Sequence, residues 1–365
     1  MNLASFQEHF STIAEPRQSA KVSYPLFDIL FLTVAAVITG CDGWEDIEDF
    51  GLERLEWLNK FGMFSDGIPA HDTIARVISR IDAKAMQSAF VGWMQDAVQK
   101  TDGEVVAIDG KTLCSSYRPG ERKSAIHMVS AFATANGVVM GQVKTGEKSG
   151  EYQAIPELLK LLELKGCLVS IDAQGCYVPI AEAIVARKAD YLLAVKGNQP
   201  SLQASIQAAF RSAEVAPEVT MGRQHGRAEC REYKVLSASV VPAEIRSQWP
   251  KLALIGEATS YRNDGRTESL ERRYYISSAD LSAERFAKAV RSHWGIENQL
   301  HWVLDTALRE DDCVISRGEA PANLACARHI ALNLLRAEKS KKRGVKGKQR
   351  VACMSTDYLE LVLGV

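Results

Sequence analysis

The sequence predicts an α/β protein: a mixed sheet with helices on its faces, a helical N-terminal domain and an all-β insertion. Three observations predict this fold class. Apolar residues recur at helical spacing over the first hundred residues, strand-like and helical segments follow from about residue 104 to 195, and several strand-like runs fill residues 200–280. A chain of 365 residues is long enough for one large domain or two ordinary ones.

Residues 1–100 are predicted to form a helical domain of about four helices. Asp72 and Asp82 are placed to cap the last two of them. These last two helices could form a helix-turn-helix that reads DNA, or a module for packing or dimerisation, and the sequence leaves both interpretations open. The predicted helices cover Leu26–Ile38, Trp44–Phe61, Asp72–Ile81 and Ala83–Val98.

Residues 101–338 are predicted to form the α/β domain, with the β insertion at about 200–280 and a basic C-terminal tail at 339–365. The order before the insertion is β-β-β-α-β-α-β, and Asn136-Gly137 marks a hairpin between the second and third strands. A helix is expected from about Ser282 to Leu304. The five predicted strands of the core are Glu104–Asp109, Ala125–Thr134, Gly137–Thr145, Cys167–Asp172 and Tyr191–Val195.

Composition excludes several classes of protein. With 46% hydrophobic and 24% charged residues the chain has the profile of a soluble globular protein. The eight cysteines show neither zinc spacing nor a disulfide framework, which predicts a reduced, cytoplasmic protein. The most apolar stretch, Ile29–Ile38, is too short to span a bilayer, so no membrane partner is expected. A net charge of −1 neither demands nor excludes a nucleic-acid partner.

Two aspartates end apolar strands of the predicted sheet, Asp109 the first strand and Asp172 the fourth. Either one alone is more often a turn residue than a functional one. In a β-β-β-α-β-α-β chain, however, these two strands can be neighbours, which would bring the carboxylates together. Hard oxygen ligands of this kind suit Mg²⁺ or Mn²⁺, and a pair of such ions can promote in-line displacement at a phosphodiester. This chemistry calls for a third carboxylate.

Glu297 is the candidate for that third carboxylate. It lies in a predicted helix that also places His293, His301 and Asp305 at i, i+4 spacing, flanked by tryptophans. The alternative interpretation is a buried row of hydrogen-bonded polar side chains. A zinc site is disfavoured, because the HExxH arrangement is absent.

The three blocks AIDGKT, SIDAQG and HWGIENQLHW resemble the DDE motif of bacterial insertion-sequence transposases, most closely the H-repeat-associated proteins of Rhs elements. The resemblance extends over nearly the whole chain. It implies a ribonuclease-H-like fold in which Asp109, Asp172 and Glu297 are the catalytic, metal-binding triad for two Mg²⁺ or Mn²⁺ ions. It also implies double-stranded DNA as the partner, at element ends and target, and a homodimer on that DNA.

The chain departs from the wider class in one respect. That class carries a Tyr-x₂-Arg-x₃-Glu-x₆-Lys pattern, whereas Val290, His293 and Leu304 stand at its other three positions here. Roles of that tyrosine, arginine and lysine therefore do not transfer, and whether DNA hairpins form stays open. Polar and cationic side chains are candidates for DNA contact, although each basic cluster alone could be ordinary solubilising charge. These candidates are Lys111, Lys196, Asn198, Arg227, His293, Asn298 and His301.

Three functions are compatible with these residues. The first is an active transposase that cuts element ends and joins the 3′-hydroxyls to target DNA. The second is a stand-alone Mg²⁺-dependent nuclease on the same fold, and the third is a catalytically silent DNA-binding protein derived from a transposase. A P-loop, a Gly-x-Ser-x-Gly elbow and an HExxH motif are all absent from the sequence, which disfavours other hydrolases.

Overall fold

The computed structural model describes residues 3–97, 103–117, 125–146, 150–224, 227–263 and 267–365, without the side chains of Arg223, Gln224 and Arg227. Its helices are α1 (Leu3–Phe10), α2 (Leu26–Thr39), α3 (Trp44–Glu53), α4 (Leu55–Asn59), α5 (His71–Ile78), α6 (Ala83–Ala97), α7 (Glu151–Leu161), α8 (Val178–Ala186), α9 (Pro200–Ser212), α10 (Ala243–Arg246), α11 (Ala283–His293), a π-helix (Ile296–His301), α12 (Trp302–Thr306), α13 (Ala320–Ala337), α14 (Val345–Met354) and α15 (Thr356–Leu363). Its strands are β1 (Val105–Thr112), β2 (His127–Ala133), β3 (Val138–Lys144), β4 (Leu168–Ile171), β5 (Asp190–Val195), β6 (Glu218–Gln224), β7 (Arg227–Ser237), β8 (Leu254–Asn263) and β9 (Glu268–Ser277).

The strands form one sheet in the order β3-β2-β1-β4-β5-β9-β8-β7-β6. Strands β1, β4 and β5 are parallel, and β2 is antiparallel to both β1 and β3. This arrangement of the first five strands is ribonuclease-H-like, with helices on the sheet, and confirms the predicted fold class. The β2–β3 hairpin turns at Gly137, whose φ of +68° is the left-handed conformation that glycine adopts readily, as the Asn-Gly signal predicts.

The predicted β insertion extends the same sheet. Strand β9 pairs antiparallel with β5, and β8, β7 and β6 follow outward by antiparallel pairing. The strand-like runs of the sequence, Cys230–Val241, Leu252–Tyr261 and Ser269–Ser277, correspond to β7, β8 and β9. Strand β6, whose residues include exposed Val219 and Met221, is not predicted. The insertion thus adds four antiparallel strands to the sheet beside β5.

The segment predicted as a basic C-terminal tail is folded over most of its length. Residues 345–363 form α14 and α15, and Ala352, Leu359 and Val362 are buried in the core of the N-terminal helices. Helix α13 contributes to the same core. The lysine and arginine run continues into α14, whose apolar side packs on the core. The domain boundaries at 100 and 338 remain predictions.

Helix α2 lies at the centre of the helical core, and its residues from Ile29 to Ile38 are buried. Over the described part of the chain, no single helix has the length and apolar character needed to cross a membrane. The pair α2 and α3 meets those two requirements together, but its helices meet at 96°.

The two predicted helix caps have different outcomes. Asp82 caps α6, since its Oδ1 accepts from the backbone N–H of Lys84 at 3.2 Å. Asp72 does not cap α5, because that helix begins one residue earlier, at His71. The His71 N–H donates instead to the carboxylate of Glu48 in α3, at 2.8 Å. A contact distant in sequence has replaced the local cap.

Candidate active site

Sheet pairing places Asp109 beside Asp172. The parallel strands β1 and β4 are in register at Ile108 and Ile171, so the aspartate follows the paired residue in both strands. This confirms that the first and fourth strands are neighbours. Asp109 does not end its strand as predicted, because pairing with β2 continues β1 to Thr112. Asp172 does end its strand, and its Oδ1 accepts from the Gln174 N–H at 2.9 Å.

Glu297 lies near the two aspartates on a distorted helix. The single helix predicted from about Ser282 to Leu304 is divided here: α11 ends at His293, and a π-helix runs over Ile296–His301. The wider turn of a π-helix disrupts the i, i+4 row on which the sequence prediction depends. The side chain of Glu297 is exposed, while Ile296 and Leu300 are buried beside it.

The three carboxylates affect one another electrostatically. Burial raises the pKa of Asp109 to about 7, and the negative charges of Asp172, Glu151 and Glu297 add to the rise. Burial also raises the pKa of Asp172, again with a contribution from Glu151. The pKa of Glu297 is raised by burial as well, opposed by the charge of Arg273. Mutual repulsion of this kind is typical of carboxylates that share one site.

The chemistry of this donor set fits a hard divalent cation. Carboxylate oxygens are the ligands of Mg²⁺ and Mn²⁺, and a bound dication would offset the repulsion that raises these pKa values. The side chains are too far apart to form a metal site as they stand. Among the residues that the structure describes, no three His, Cys, Asp or Glu side chains converge closely enough to hold a metal ion. Asp109, Asp172 and Glu297 would therefore have to draw together around a cation.

Glu151 is a fourth carboxylate at the site, and it is not predicted from the sequence. It begins α7, and its Oε1 lies 2.8 Å from His127 Nε2, while His127 Nδ1 lies 2.9 Å from the Thr112 hydroxyl. A Cβ on Gly110 would collide with both the Glu151 carboxylate and the His127 ring. The glycine of the AIDGKT block thus permits this close approach. The sequence shows Glu151 only as an acidic residue at the start of a helix, a feature too common to indicate a functional site.

His293 ends α11, and His301 ends the π-helix that carries Glu297 (Ile296–His301, called the glutamate helix below). His293 Nδ1 is 3.1 Å from the Ser170 hydroxyl on β4, and His301 Nδ1 is 3.7 Å from Asp109 Oδ2. Burial lowers the pKa of each imidazole to about 4. Both rings are therefore neutral near pH 7, and the His301–Asp109 contact is not an ion pair at that pH despite its short distance. His301 Nε2 is buried with no hydrogen-bond partner among the described residues.

Lys111 lies among acidic side chains. Its ammonium group is 2.6 Å from Asp305, 2.8 Å from Asp311 and 3.1 Å from Glu310, and its side chain is only 11% exposed. Burial lowers the pKa of Lys111, but these carboxylates outweigh burial and the net shift is upward. The lysine predicted to contact DNA is thus neutralised within the protein, and its contact with DNA stays a prediction.

A cavity of about 140 Å³ opens between β4, β5, β9 and the glutamate helix. Asp172 and Glu297 line it together with two cations, Lys196 after β5 and Arg273 on β9. A larger groove of about 350 Å³ continues from it between the insertion strands and the helix, and Arg231, Arg262, Arg273 and Arg291 line this groove. Carboxylates for a metal therefore stand next to guanidinium groups that suit a phosphate backbone.

The remaining DNA-binding candidates have varied surroundings. Asn198 donates from Nδ2 to the carbonyl of Ala173 at 2.8 Å, so its amide supports the loop that follows Asp172. Asn298 lines the groove and donates to the carbonyl of Trp294 at 3.0 Å. Arg227 begins β7, and its side chain lies outside the described residues. The DNA contacts of all three stay predictions.

Comparison with known proteins identifies the family. Residues 7–94 match the family model described as DDE_Tnp_1-associated, and residues 100–334 match the one described as Transposase DDE domain. The chain therefore belongs to the transposase DDE family, and the wide span of the match agrees with the resemblance found in the motifs.

The relatives also support the predicted subgroup. "H repeat-associated putative transposase YhhI" of Escherichia coli (strain K12) is 45% identical over 100% of this chain and 98% of its own length. "Putative transposase YncI" of Escherichia coli O157:H7 is 48% identical over 100% of this chain and 95% of its own length. A cryo-EM structure of the piggyBac transposase synaptic complex with hairpin DNA has a TM-score of 0.48 at 13% identity, covering 100% of this chain and 82% of that one. A likeness this low decides neither fold nor function.

Proposed function

We propose that this protein cuts DNA at the ends of an insertion sequence and joins the freed strands to a target. The observation that carries the proposal is the pairing of β1 with β4, which brings Asp109 and Asp172 together at the sheet while Glu297 approaches from the π-helix. Family membership supports the reaction class. The protein would act in the cytoplasm, on double-stranded DNA, as a homodimer that holds two element ends.

Two Mg²⁺ or Mn²⁺ ions, held by Asp109, Asp172 and Glu297, would supply Lewis acidity toward the phosphate and lower the pKa of a nucleophilic water or hydroxyl. In the first reaction a water oxygen attacks the phosphorus at the element end, the bond to the 3′-oxygen breaks, and a 3′-hydroxyl is left. In the second, that hydroxyl attacks a target phosphodiester, a new P–O bond forms, and the target strand's 3′-oxygen leaves.

The protein's own side chains would orient these reactants. Lys196 and Arg273 line the carboxylate cavity and would bind phosphate oxygens there. His301 and Glu151 flank Asp109 and would fix where its carboxylate points. The raised pKa of Asp109, about 7, means that cation binding competes with a proton on this group.

The test is nicking and joining of duplex DNA that carries the element's own ends, with Mg²⁺ or Mn²⁺ and with a chelator. Asp109→Asn, Asp172→Asn and Glu297→Gln keep the side-chain size and remove the charge, so we expect each to lower the cleavage rate by about 100-fold or more. Asp66→Asn is the matched control, since Asp66 is exposed in the helical domain.

Three outcomes separate the candidate functions. Cleavage and joining lost in all three variants but retained in Asp66→Asn supports the transposase. Cleavage without joining, on a substrate with correct ends, favours a stand-alone nuclease. Binding of DNA without cleavage in the wild type, unaltered by the substitutions, would leave a catalytically silent DNA-binding protein.

A further inference from the structure

Arg273 occupies the junction between the carboxylate cavity and the arginine-lined groove. It lies on β9 opposite Ala258 of β8, on the face of the sheet that looks toward the glutamate helix. Of the described residues with a positive charge, it is the one that lines both spaces. Arg231 and Arg262 line the groove but not the cavity, and Lys196 lines the cavity but not the groove.

Two neighbours hold the guanidinium group of Arg273. Its Cζ lies 4.4 Å from the centre of the Trp294 ring, a cation–π arrangement that fixes the plane of the group. Its Nε and Nη2 donate to the two carboxylate oxygens of Glu271, at 2.8 and 3.1 Å. The Glu271 side chain is 51% exposed, and ion pairs this accessible to water are weak. An anion that offers two adjacent oxygens, as a phosphodiester does, could therefore replace Glu271.

Arg273 lines the same cavity as Asp172 and Glu297, two of the proposed metal ligands. The residues that α11 and the π-helix turn into the cavity, Val290, His293, Trp294 and Glu297, include no permanent cation. Positive charge in this cavity consequently comes from the side of the sheet, from Arg273 on β9 and from Lys196 after β5.

We propose that Arg273 binds the phosphate at which the DNA is cut, exchanging the Glu271 carboxylate for two non-bridging phosphate oxygens while Trp294 holds its plane. This deepens the proposed function and rests on it. The guanidinium would stabilise negative charge that grows on these oxygens during displacement. Its fork of N–H donors matches phosphate geometry in a way that a lysine ammonium does not.

The test combines a protein substitution with a substrate substitution. Duplexes that carry the element's ends are made with a neutral methylphosphonate either at the cleaved position or four nucleotides away. Binding is measured in Ca²⁺ for the wild type, Arg273→Gln, Arg273→Lys and the groove control Arg262→Gln. Far-ultraviolet circular dichroism checks the fold of each variant.

For the wild type, we expect a methylphosphonate at the cleaved position to weaken binding by about 10- to 100-fold, the loss associated with a hydrogen bond to a charged group. Arg273→Gln should bind the two modified duplexes equally well, because it has already lost the contact. Arg273→Lys should retain part of the discrimination, and Arg262→Gln should retain all of it. Single-turnover cleavage of the unmodified duplex should slow in Arg273→Gln even when the DNA is saturating.

If Arg273→Gln discriminates between the two modified duplexes as strongly as the wild type does, the inference is overturned. If Arg273→Gln fails to fold, Arg273→Lys is used instead. The inference is also overturned if Arg273→Lys discriminates between the two modified duplexes as strongly as the wild type does. Failure of the proposed function looks different, because the wild type would then fail to join unmodified ends, or to cut them at all, whatever the behaviour of Arg273.

Discussion

Replacing Lys111 by methionine separates a structural role for this lysine from a role in DNA binding. The ammonium group sits between Asp305, Glu310 and Asp311 at 2.6 to 3.1 Å. Methionine keeps much of the side-chain length and removes the charge. We expect Lys111→Met to destabilise the fold, while the protein that remains folded keeps most of its affinity for DNA.

The magnitude follows from the burial of Glu310. Its side chain is 2% exposed, whereas Asp305 and Asp311 are 32% and 39% exposed and can turn toward water. Removing one partner of a buried ion pair costs about 3–5 kcal/mol. Because only one of the three carboxylates is fully enclosed, the lower end applies, and we expect a loss of about 3 kcal/mol in the free energy of unfolding.

The loss should depend on pH in a defined direction. Burial raises the pKa of Glu310, and the charge of Lys111 opposes that rise. Without Lys111 the folded-state pKa of Glu310 moves further above its unfolded value, so the folded variant takes up a proton more readily than the unfolded chain. The deficit relative to the wild type should therefore shrink as the pH falls and grow as it rises.

Urea unfolding at several pH values measures these effects. Lys144→Met is the matched control, because Lys144 and Glu319 form a pair at 3.2 Å with side chains 29% and 41% exposed, for which about 0–1 kcal/mol is expected. Adding Glu310→Gln to Lys111→Met should restore about 2 kcal/mol. Normal stability of Lys111→Met together with weakened DNA binding would refute the structural role and support the predicted DNA contact.

Two further substitutions test local features of the site and the core. Gly110→Ala places a methyl group against Glu151 and His127, so we expect a loss of about 1–3 kcal/mol, seen in thermal unfolding, and a slower cleavage rate; wild-type values for both would contradict the close approach. Burial lowers the pKa of His329 in the folded protein to about 3, below the value in the unfolded chain. The unfolded chain therefore takes up a proton first, and the free energy of unfolding falls by up to about 1.4 kcal/mol per pH unit as the pH falls from about 6.5 toward 3. His329→Leu should flatten the stability profile between pH 6 and 4 by about that slope, and an unchanged profile would mean that the imidazole is already protonated in the folded state.

The sheet and its two aspartates could be predicted because their signals are local. Each core strand is a short apolar run bounded by turn residues, and the β-β-β-α-β-α-β order limits which strands can pair. The adjacency of β1 and β4 then follows from topology. The position of Asp109 within β1 did not follow, because the length of a strand depends on its partner, and β2 extends the pairing by three residues.

The residues that the sequence did not reveal act through contacts distant in the chain. Glu151 approaches Asp109 only because α7 packs against β2 and β3, and Arg273 reaches Glu297 only because β9 joins β5. Neither residue stands in a recognisable motif. Charge alone marks too many positions in this chain, with 44 Lys and Arg and 45 Asp and Glu, to single these two out.

The aspartates and the glutamate of the candidate site are flanked by residues of two hydrophobic clusters. Ile108 and Ile171, which precede the aspartates, belong to the core beneath β1, β4 and β5. Ile296 and Leu300, which flank Glu297 on the π-helix, belong to the core of the N-terminal helices and α13. The same core includes Ala107 of β1, which precedes Ile108, and Phe132 of β2. The distance between the aspartates and the glutamate is therefore set by packing of the π-helix against both the helical domain and the sheet.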